Sequence, residues 1–370
     1  MKVGILTYHR TLNYGAFLQA YSLKKYIESL GNEVDIIDYW PKGHKDVYRD
    51  ISIPNKGTFF SKSKALIKSL VLLYWKIKRR RSFEKLFVSD LGLTKNVLYP
   101  SGISLGDIKY DCIIYGSDQI WRFSEFPNYK GFDSVFFGEY IQKNIKKITY
   151  AASMGIISDF GKKDFLKSSF SNFSAISVRE LPLKEFLLDG FNVDSVLVED
   201  PIFLNGKSFW ESYATATIRL PKKPYILFYN LLRNNSLYKK IKDFSRNNNL
   251  EVIEITASIF PETILNRNSK QCINPRQFLF LLKNAAYVFS TSFHGVAFSI
   301  LFNKDFYALD TGKKFGRAKS LLQRLCLENR IINEDISFQN FLLEPVDYTV
   351  ANRTLETFID FSEEFIKKSL

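Results

Sequence analysis

The stretch Tyr287 to Asn303, YVFSTSFHGVAFSILFN, constrains this chain most, because it reads without interruption as a strand, a turn and the start of a helix. Tyr287, Val288 and Phe289 form a short β-branched and aromatic run, Ser290, Thr291 and Ser292 a polar turn, and Val296 to Phe302 an apolar segment of helical length. His294 and Gly295 fall in the first helical turn. Free backbone N–H groups and the positive end of the helix dipole favour an anion there, and Gly lets a ligand approach closely. A phosphate or carboxylate fits such a turn. In the alternative reading Ser292 only caps the helix and His294 is an exposed first-turn residue.

The same alternation runs along the chain. Lys2 to Tyr8 reads as a buried strand, His9 to Tyr14 as a turn, Gly15 to Leu30 as a helix ended by Gly31, and Glu33 to Tyr39 as the next strand. The first loop of this βαβ unit lies at a strand's carboxyl end, the ligand side of an open parallel sheet, which makes Asn13 and Gly15 candidate site residues. The loop has neither GxGxxG nor a P-loop Lys, so a nucleotide cofactor is not supported. Asp111 to Tyr115 is followed by the small polar loop GSDQIWR, Ile148 to Ala152 runs into Ser153, Ala175 to Val178 delivers Arg179 and Glu180, and Ser195 to Val198 ends in Glu199, Asp200 and Pro201. Five strands thus bring small or charged residues to one edge. In the bland reading Arg179 is a surface cation paired with Glu180 or Asp200.

Asn205 to Lys223 reads as a connection, after which a second α/β series begins with strands at Pro224 to Tyr229 and Glu251 to Thr256. Asn274 and Pro275 start a helix, the opening stretch follows, Asp305 to Leu309 is another strand, and Gly316 to Cys326 is a helix that carries Arg317. The chain of 370 residues, 46% of them apolar, is long enough for two cores. We expect an α/β protein of two domains, residues 1–210 and 222–345, with a basic helical insertion near 60–90 and a last helix at 351–370.

A net charge of +14 suggests anionic partners: nucleic acid, an acidic membrane surface or phosphorylated substrates. No nucleic-acid-binding motif is present, so nucleic acid is not an expected partner. Basic residues are densest from Lys62 to Lys85, a stretch with an apolar stripe at Leu66, Leu70, Leu73 and Ile77. Such a helix either packs on its own domain with a solvated charged face or lies on anionic lipid. The N-terminus shows no secretory signal, which gives a cytoplasmic expectation, with peripheral membrane contact through the basic stretch. Cys112, Cys272 and Cys326 show no metal-ligand spacing and read as packing residues. An oligomer is compatible with all of this.

NYGAFLQAYSLKKYIESLG, DCIIYGSDQIW, ITYAASMG, ISVRE, EDP and STSFHGVAFSILFNKDFYAL together resemble the polysaccharide pyruvyl transferase family, in order and in spacing, over Met1 to about Arg330. The resemblance implies two Rossmann-like domains facing a cleft, a GT-B-like fold. It also implies transfer of the enolpyruvyl part of phosphoenolpyruvate onto a sugar hydroxyl pair as a pyruvate ketal, on a lipid-linked or oligosaccharide precursor of a surface polysaccharide. The family's His falls on His294, its Arg on Arg179, and its Asn-Tyr-Gly loop on Asn13, Tyr14 and Gly15. Many members carry an Arg two residues before the His, where this chain has Ser292; Arg317 is the expected substitute.

A donor with a phosphate and a carboxylate needs fixed donors for both, which Arg and a helix N-terminus supply. Arg179, Ser292, Gly295 and Arg317 suit that task. Ketal formation also calls for a general acid that titrates near neutrality, as His does unperturbed. His294 is best placed, His9 lies in the first loop and could face it, and His44 reads as a surface residue. Ser117 and Asp118 complete the expected substrate contacts, with Asp118 and Glu180 as possible bases. No metal or other cofactor is obligatory. The competing expectation is a nucleotide-sugar glycosyltransferase of the same fold, for which Asp310 is a weak ribose-contact candidate.

Overall fold

The computed structural model describes residues 1–41, 58–93, 110–126, 129–139, 141, 144–215, 218–231, 234–264, 266, 268–312, 315–333 and 344–370. His44 lies outside them. The first domain holds β1 (Lys2–Leu6), α1 (Tyr14–Ser29), β2 (Glu33–Ile36), α2 (Phe59–Ser89), β3 (Cys112–Asp118), a hairpin of β4 (Ser124–Phe126) and β5 (Tyr129–Gly131), β6 (Lys146–Ala152), α3 (Lys163–Phe170), β7 (Ser177–Val178), α4 (Leu181–Phe191) and β8 (Val196–Leu197). Six of its strands form one parallel sheet in the order β2-β1-β3-β6-β7-β8. The central strands β1, β3 and β6 are buried on both faces, as a sheet covered by crossover helices requires.

The connection is not structureless, for it contains α5 (Gly206–Tyr213). Beyond it come β9 (Tyr225–Asn230), α6 (Asn235–Asn247), β10 (Glu251–Thr256), α7 (Pro261–Ile264), α8 (Pro275–Asn284), β11 (Tyr287–Ser290), α9 (Phe293–Leu301), β12 (Asp305–Asp310), α10 (Gly316–Arg324), β13 (Ile331–Asn333) and α11 (Thr349–Ser369). Their five strands make a second parallel sheet in the order β10-β9-β11-β12-β13. Asn274 and Gln277 form a reciprocal capping box at the start of α8, which satisfies two N–H groups that the helix leaves open. Helix α11 returns to the first domain, where the N–H of Glu199 donates to Ser362 Oγ at 2.8 Å.

One apolar core is continuous between the domains. Tyr14 of α1 stacks on Phe278 of α8 with ring centroids 4.7 Å apart and an interplanar angle of 6°. Helix α2 does not pack on its own domain alone. Arg79 is buried, and its guanidinium donates to the carbonyls of Leu12 in the first domain and of Thr256 and Gln271 in the second, at 2.9, 2.9 and 3.1 Å. Arg79 is therefore an interdomain tie, which corrects its reading as one of a solvated basic cluster. At the end of α2, Asp90 pairs with Arg276 of α8 at 2.8 Å.

Candidate active site

The cleft is built where the carboxyl ends of the first domain's strands meet the start of α9. Arg179 follows β7 and is buried. Its Nη1 donates to Asp200 Oδ2 and to Ser117 Oγ (3.4 Å), and its Nε to Glu180 Oε1 at 3.3 Å. Burial by itself would lower the guanidinium's pKa, but Asp200, Glu180 and Asp118 outweigh it and hold the pKa above the ordinary Arg value. This is a buried network, not the surface ion pair of the bland reading. Nη2 of Arg179 has no hydrogen-bond partner among the described residues and lies 3.9 Å from Asp118 Oδ1.

His294 enters from the second domain. Its Nε2 lies 3.5 Å from Asp200 Oδ2, the atom that also accepts from Arg179, and has no hydrogen-bond partner among the described residues. The imidazole rests on the backbone of Gly15, since a Cβ added there would lie 2.1 Å from His294 Nδ1. That contact explains the Gly of the first loop, because any side chain would expel the ring. Asp200 is fully buried; burial pushes its carboxyl up, but His294 and Arg179 overcome this and hold it well below the usual carboxylate range.

Two cations lie over the ring of Phe293. The Arg179 guanidinium lies 4.8 Å from the ring centroid and that of Arg317 lies 5.5 Å from it. Arg317 reaches no carboxylate closer than Asp118 Oδ1, at 3.9 Å, among the described residues. Burial and then the neighbouring Arg179 push its pKa down, so this cation lacks an adequate counter-charge. Asp118 holds φ at 76°, a strained backbone conformation for a residue with a side chain, of the kind that gathers at functional sites.

The other expected site residues divide. Asn13 caps α1, its side chain accepting from Gly15 N at 2.9 Å. Tyr14 is packed between the domains, its hydroxyl donating to the carbonyl of Ile273 at 3.3 Å. His9 is buried with Nδ1 2.9 Å from the carbonyl of Thr7 and Nε2 3.0 Å from Asp38 Oδ1, so it is engaged within the first domain instead of facing His294. Ser292 makes no side-chain capping bond, which removes the simple capping reading and leaves the first turn of α9 without a side-chain acceptor. Gly295 is fixed by close packing, a Cβ there lying 2.1 Å from Ser290 Oγ. Asp310 accepts from Gly312 N in its own loop at 2.8 Å.

Sequence reasoning gave Asp200 only as an ion-pair partner and passed over Phe293. Both carried a signal. Asp200 stands in an acidic pair at the carboxyl end of β8, and Phe293 immediately precedes the His of the helix start.

A family model described as polysaccharide pyruvyl transferase matches residues 13–313. The chain belongs to that family. It is a family of transferases, and the matched region contains Ser117, Asp118, Arg179, Asp200, Phe293 and His294 but not Arg317. No curated protein is similar enough in sequence to count as a match. Among solved structures, a UDP-N-acetylglucosamine 2-epimerase aligns at a TM-score of 0.52 and 10% identity over 99% of this chain and 94% of its own. A UDP-GlcNAc 2-epimerase from Neisseria meningitidis, bound to UDP-GlcNAc, gives 0.49 and 8% over 100% and 94%. Arabidopsis thaliana UGT89C1 complexed with quercetin gives 0.43 and 12% over 99% and 94%. The likeness at a TM-score of 0.52 concerns the fold alone, the two-domain GT-B arrangement.

Proposed function

We propose that this pyruvyl transferase family member moves the enolpyruvyl group of phosphoenolpyruvate onto two hydroxyls of a sugar, forming a pyruvate ketal on a cytoplasmic precursor of a surface polysaccharide. One observation carries the reading: the guanidiniums of Arg179, whose Nη2 has no hydrogen-bond partner among the described residues, and of Arg317 both lie over the Phe293 ring at the start of α9, beside His294. A compact molecule with two anionic groups matches that spacing of cations, and Arg317 takes the place of the Arg absent at Ser292.

In this mechanism Arg179 Nη2, Arg317 and the first-turn N–H groups of α9 bind the donor's carboxylate and phosphate. His294 moves a proton between a sugar hydroxyl and C3 of the enol, which becomes a methyl group. One hydroxyl oxygen bonds to C2, the second displaces phosphate, and the second hydroxyl proton leaves with the phosphate. Gly15 seats the imidazole, and Asp200, held ionised 3.5 Å from Nε2, offsets the cation that forms on it.

The test is phosphate release from phosphoenolpyruvate, screened with lipid-linked and nucleotide-linked sugars, alongside thermal-shift titration with phosphoenolpyruvate and with nucleotide sugars. Acceptor-dependent phosphate release is expected. Stabilisation by a nucleotide sugar alone, with no phosphate release from any acceptor, would transfer the assignment to a glycosyltransferase.

A further inference from the structure

Helix α2 has two faces of opposite character. Its inner face carries Leu72, Arg79, Phe83, Leu86 and Phe87, all buried against the two domains. Its outer face, at alternating steps of three and four residues, carries Phe60, Lys64, Ile67, Val71, Tyr74, Lys78, Arg81 and Lys85. Steps of this kind put residues on one stripe of a helix.

The stripe is graded along its length. Its first half is open and, apart from Lys64, apolar, with Phe59 and Phe60 89% and 80% exposed and Ile67, Val71 and Tyr74 each more than half exposed. Its second half is basic. Between them Lys78 Nζ lies 5.9 Å from the Tyr74 ring centroid and 5.4 Å from that of Trp75, so a cation and two aromatic rings mark the border. Large exposed aromatic and aliphatic side chains gathered on one stripe mark an interaction surface. No helix among the described residues is long and apolar enough to cross a membrane.

We infer that the outer face of α2 docks on an anionic lipid bilayer, the apolar half entering the boundary between headgroups and acyl chains and Lys78, Arg81 and Lys85 lying on anionic headgroups. Charge complementarity selects this occupant. A second copy of the chain would bring like charges, and a molecule of net charge +14, against each other, whereas anionic headgroups neutralise them. An interfacial helix is expected to combine these two features, bulky apolar residues to insert and Lys or Arg to hold the surface. Because the inner face of α2 ties both domains together, docking would fix the orientation of the cleft relative to the membrane. The inference is independent of the chemistry in the cleft.

The experiment is flotation of the full chain with vesicles of phosphatidylcholine alone and of phosphatidylcholine with phosphatidylglycerol, with size measured in solution. Two variants are compared with wild type, Phe60→Ser/Ile67→Ser/Val71→Ser and Lys78→Gln/Arg81→Gln/Lys85→Gln; Arg79 is left intact because it is structural. Wild type is expected to bind the anionic vesicles, and to release with salt. Loss of three basic residues should weaken that binding about 100-fold, at roughly five-fold per residue. Loss of the three apolar side chains should abolish binding with the unfolding midpoint unchanged, as expected for exposed positions. Wild type that fails to bind anionic vesicles, or variants that bind as wild type does, would overturn the inference. So would a dimer that the apolar substitutions dissociate in a chain that ignores vesicles, since the occupant would then be a second copy.

Discussion

At the scale of single residues, the cleft is decided by who touches His294. A methyl group at Gly15 should gain about 1 kcal/mol from helix propensity, because its backbone is helical and its φ is ordinary. It should also drive the imidazole from its seat, since the added atom falls 2.1 Å from Nδ1. Gly15→Ala is therefore expected to lower kcat about 100-fold or more, in the range of a lost general acid or base, with little change in donor KM. Steady-state kinetics on that variant and on His294→Ala check it, and a Gly15→Ala enzyme with wild-type kcat would separate His294 from the reaction. Arg317 makes the opposite case. Its pKa is pushed down by burial and by Arg179, so its charge opposes folding. Arg317→Met should raise the unfolding midpoint while raising donor KM about ten- to hundred-fold, the signature of a cation kept for a ligand. A lower midpoint with unchanged KM would make Arg317 a structural residue.

At the scale of elements, α2 does what no local property of its sequence requires. A basic amphipathic helix with a hydrophobic stripe satisfies its own backbone wherever it lies, but Arg79 donates to carbonyls of Leu12, Thr256 and Gln271, which belong to different domains. Those carbonyls are left without that donor when the side chain is removed, and charged hydrogen bonds are worth about 1.5–3 kcal/mol each. Arg79→Met should destabilise the chain by about 3 kcal/mol or more, read as a lowered midpoint in urea, while Arg81→Met, exposed one-half turn away, should change it by less than about 0.5 kcal/mol. Equal effects at the two positions would remove Arg79 as a tie. Helix α9 shows the same dependence on partners: its first turn is open to an anion because Ser292 does not cap it, and Ser290 and Gly295 set its close approach to β11.

For the whole molecule, the two domains meet through charge as well as apolar packing: Asp200 with His294, Glu199 with Arg324, Asp118 with Arg317 and Asp90 with Arg276. These contacts give stability a definite pH dependence. Asp200 has its folded pKa below the unfolded value of about 3.9, so the stability it contributes is complete above that pH and is lost as pH falls toward the folded value. Glu199 works in the opposite sense, because burial raises its pKa despite Arg324, and its proton favours the folded state as pH falls. Asp200→Asn should lower stability at neutral pH by stranding Arg179, and flatten the loss below about pH 4. Urea midpoints measured across that range check both, and parallel curves for the two proteins would show that Asp200 does not govern the acid limb. The alternation of short apolar runs with helices determined by itself that the chain is α/β and has two sheets, since period and length of apolar segments are local properties. It also placed Arg179, Ser117, Asp118 and His294 at strand ends and a helix start, because in a parallel sheet those positions share one edge. Local pattern has no access to partners far along the chain. Only the tertiary structure decided that Gly15 makes room for His294, that Asp200 lies between His294 and Arg179, that His9 is engaged with Asp38, and that Arg79 is buried while its neighbour Arg81 is exposed. Each of these depends on a contact between segments brought together when the sheets pack, and a charged side chain is buried only where such a contact meets its hydrogen-bonding needs.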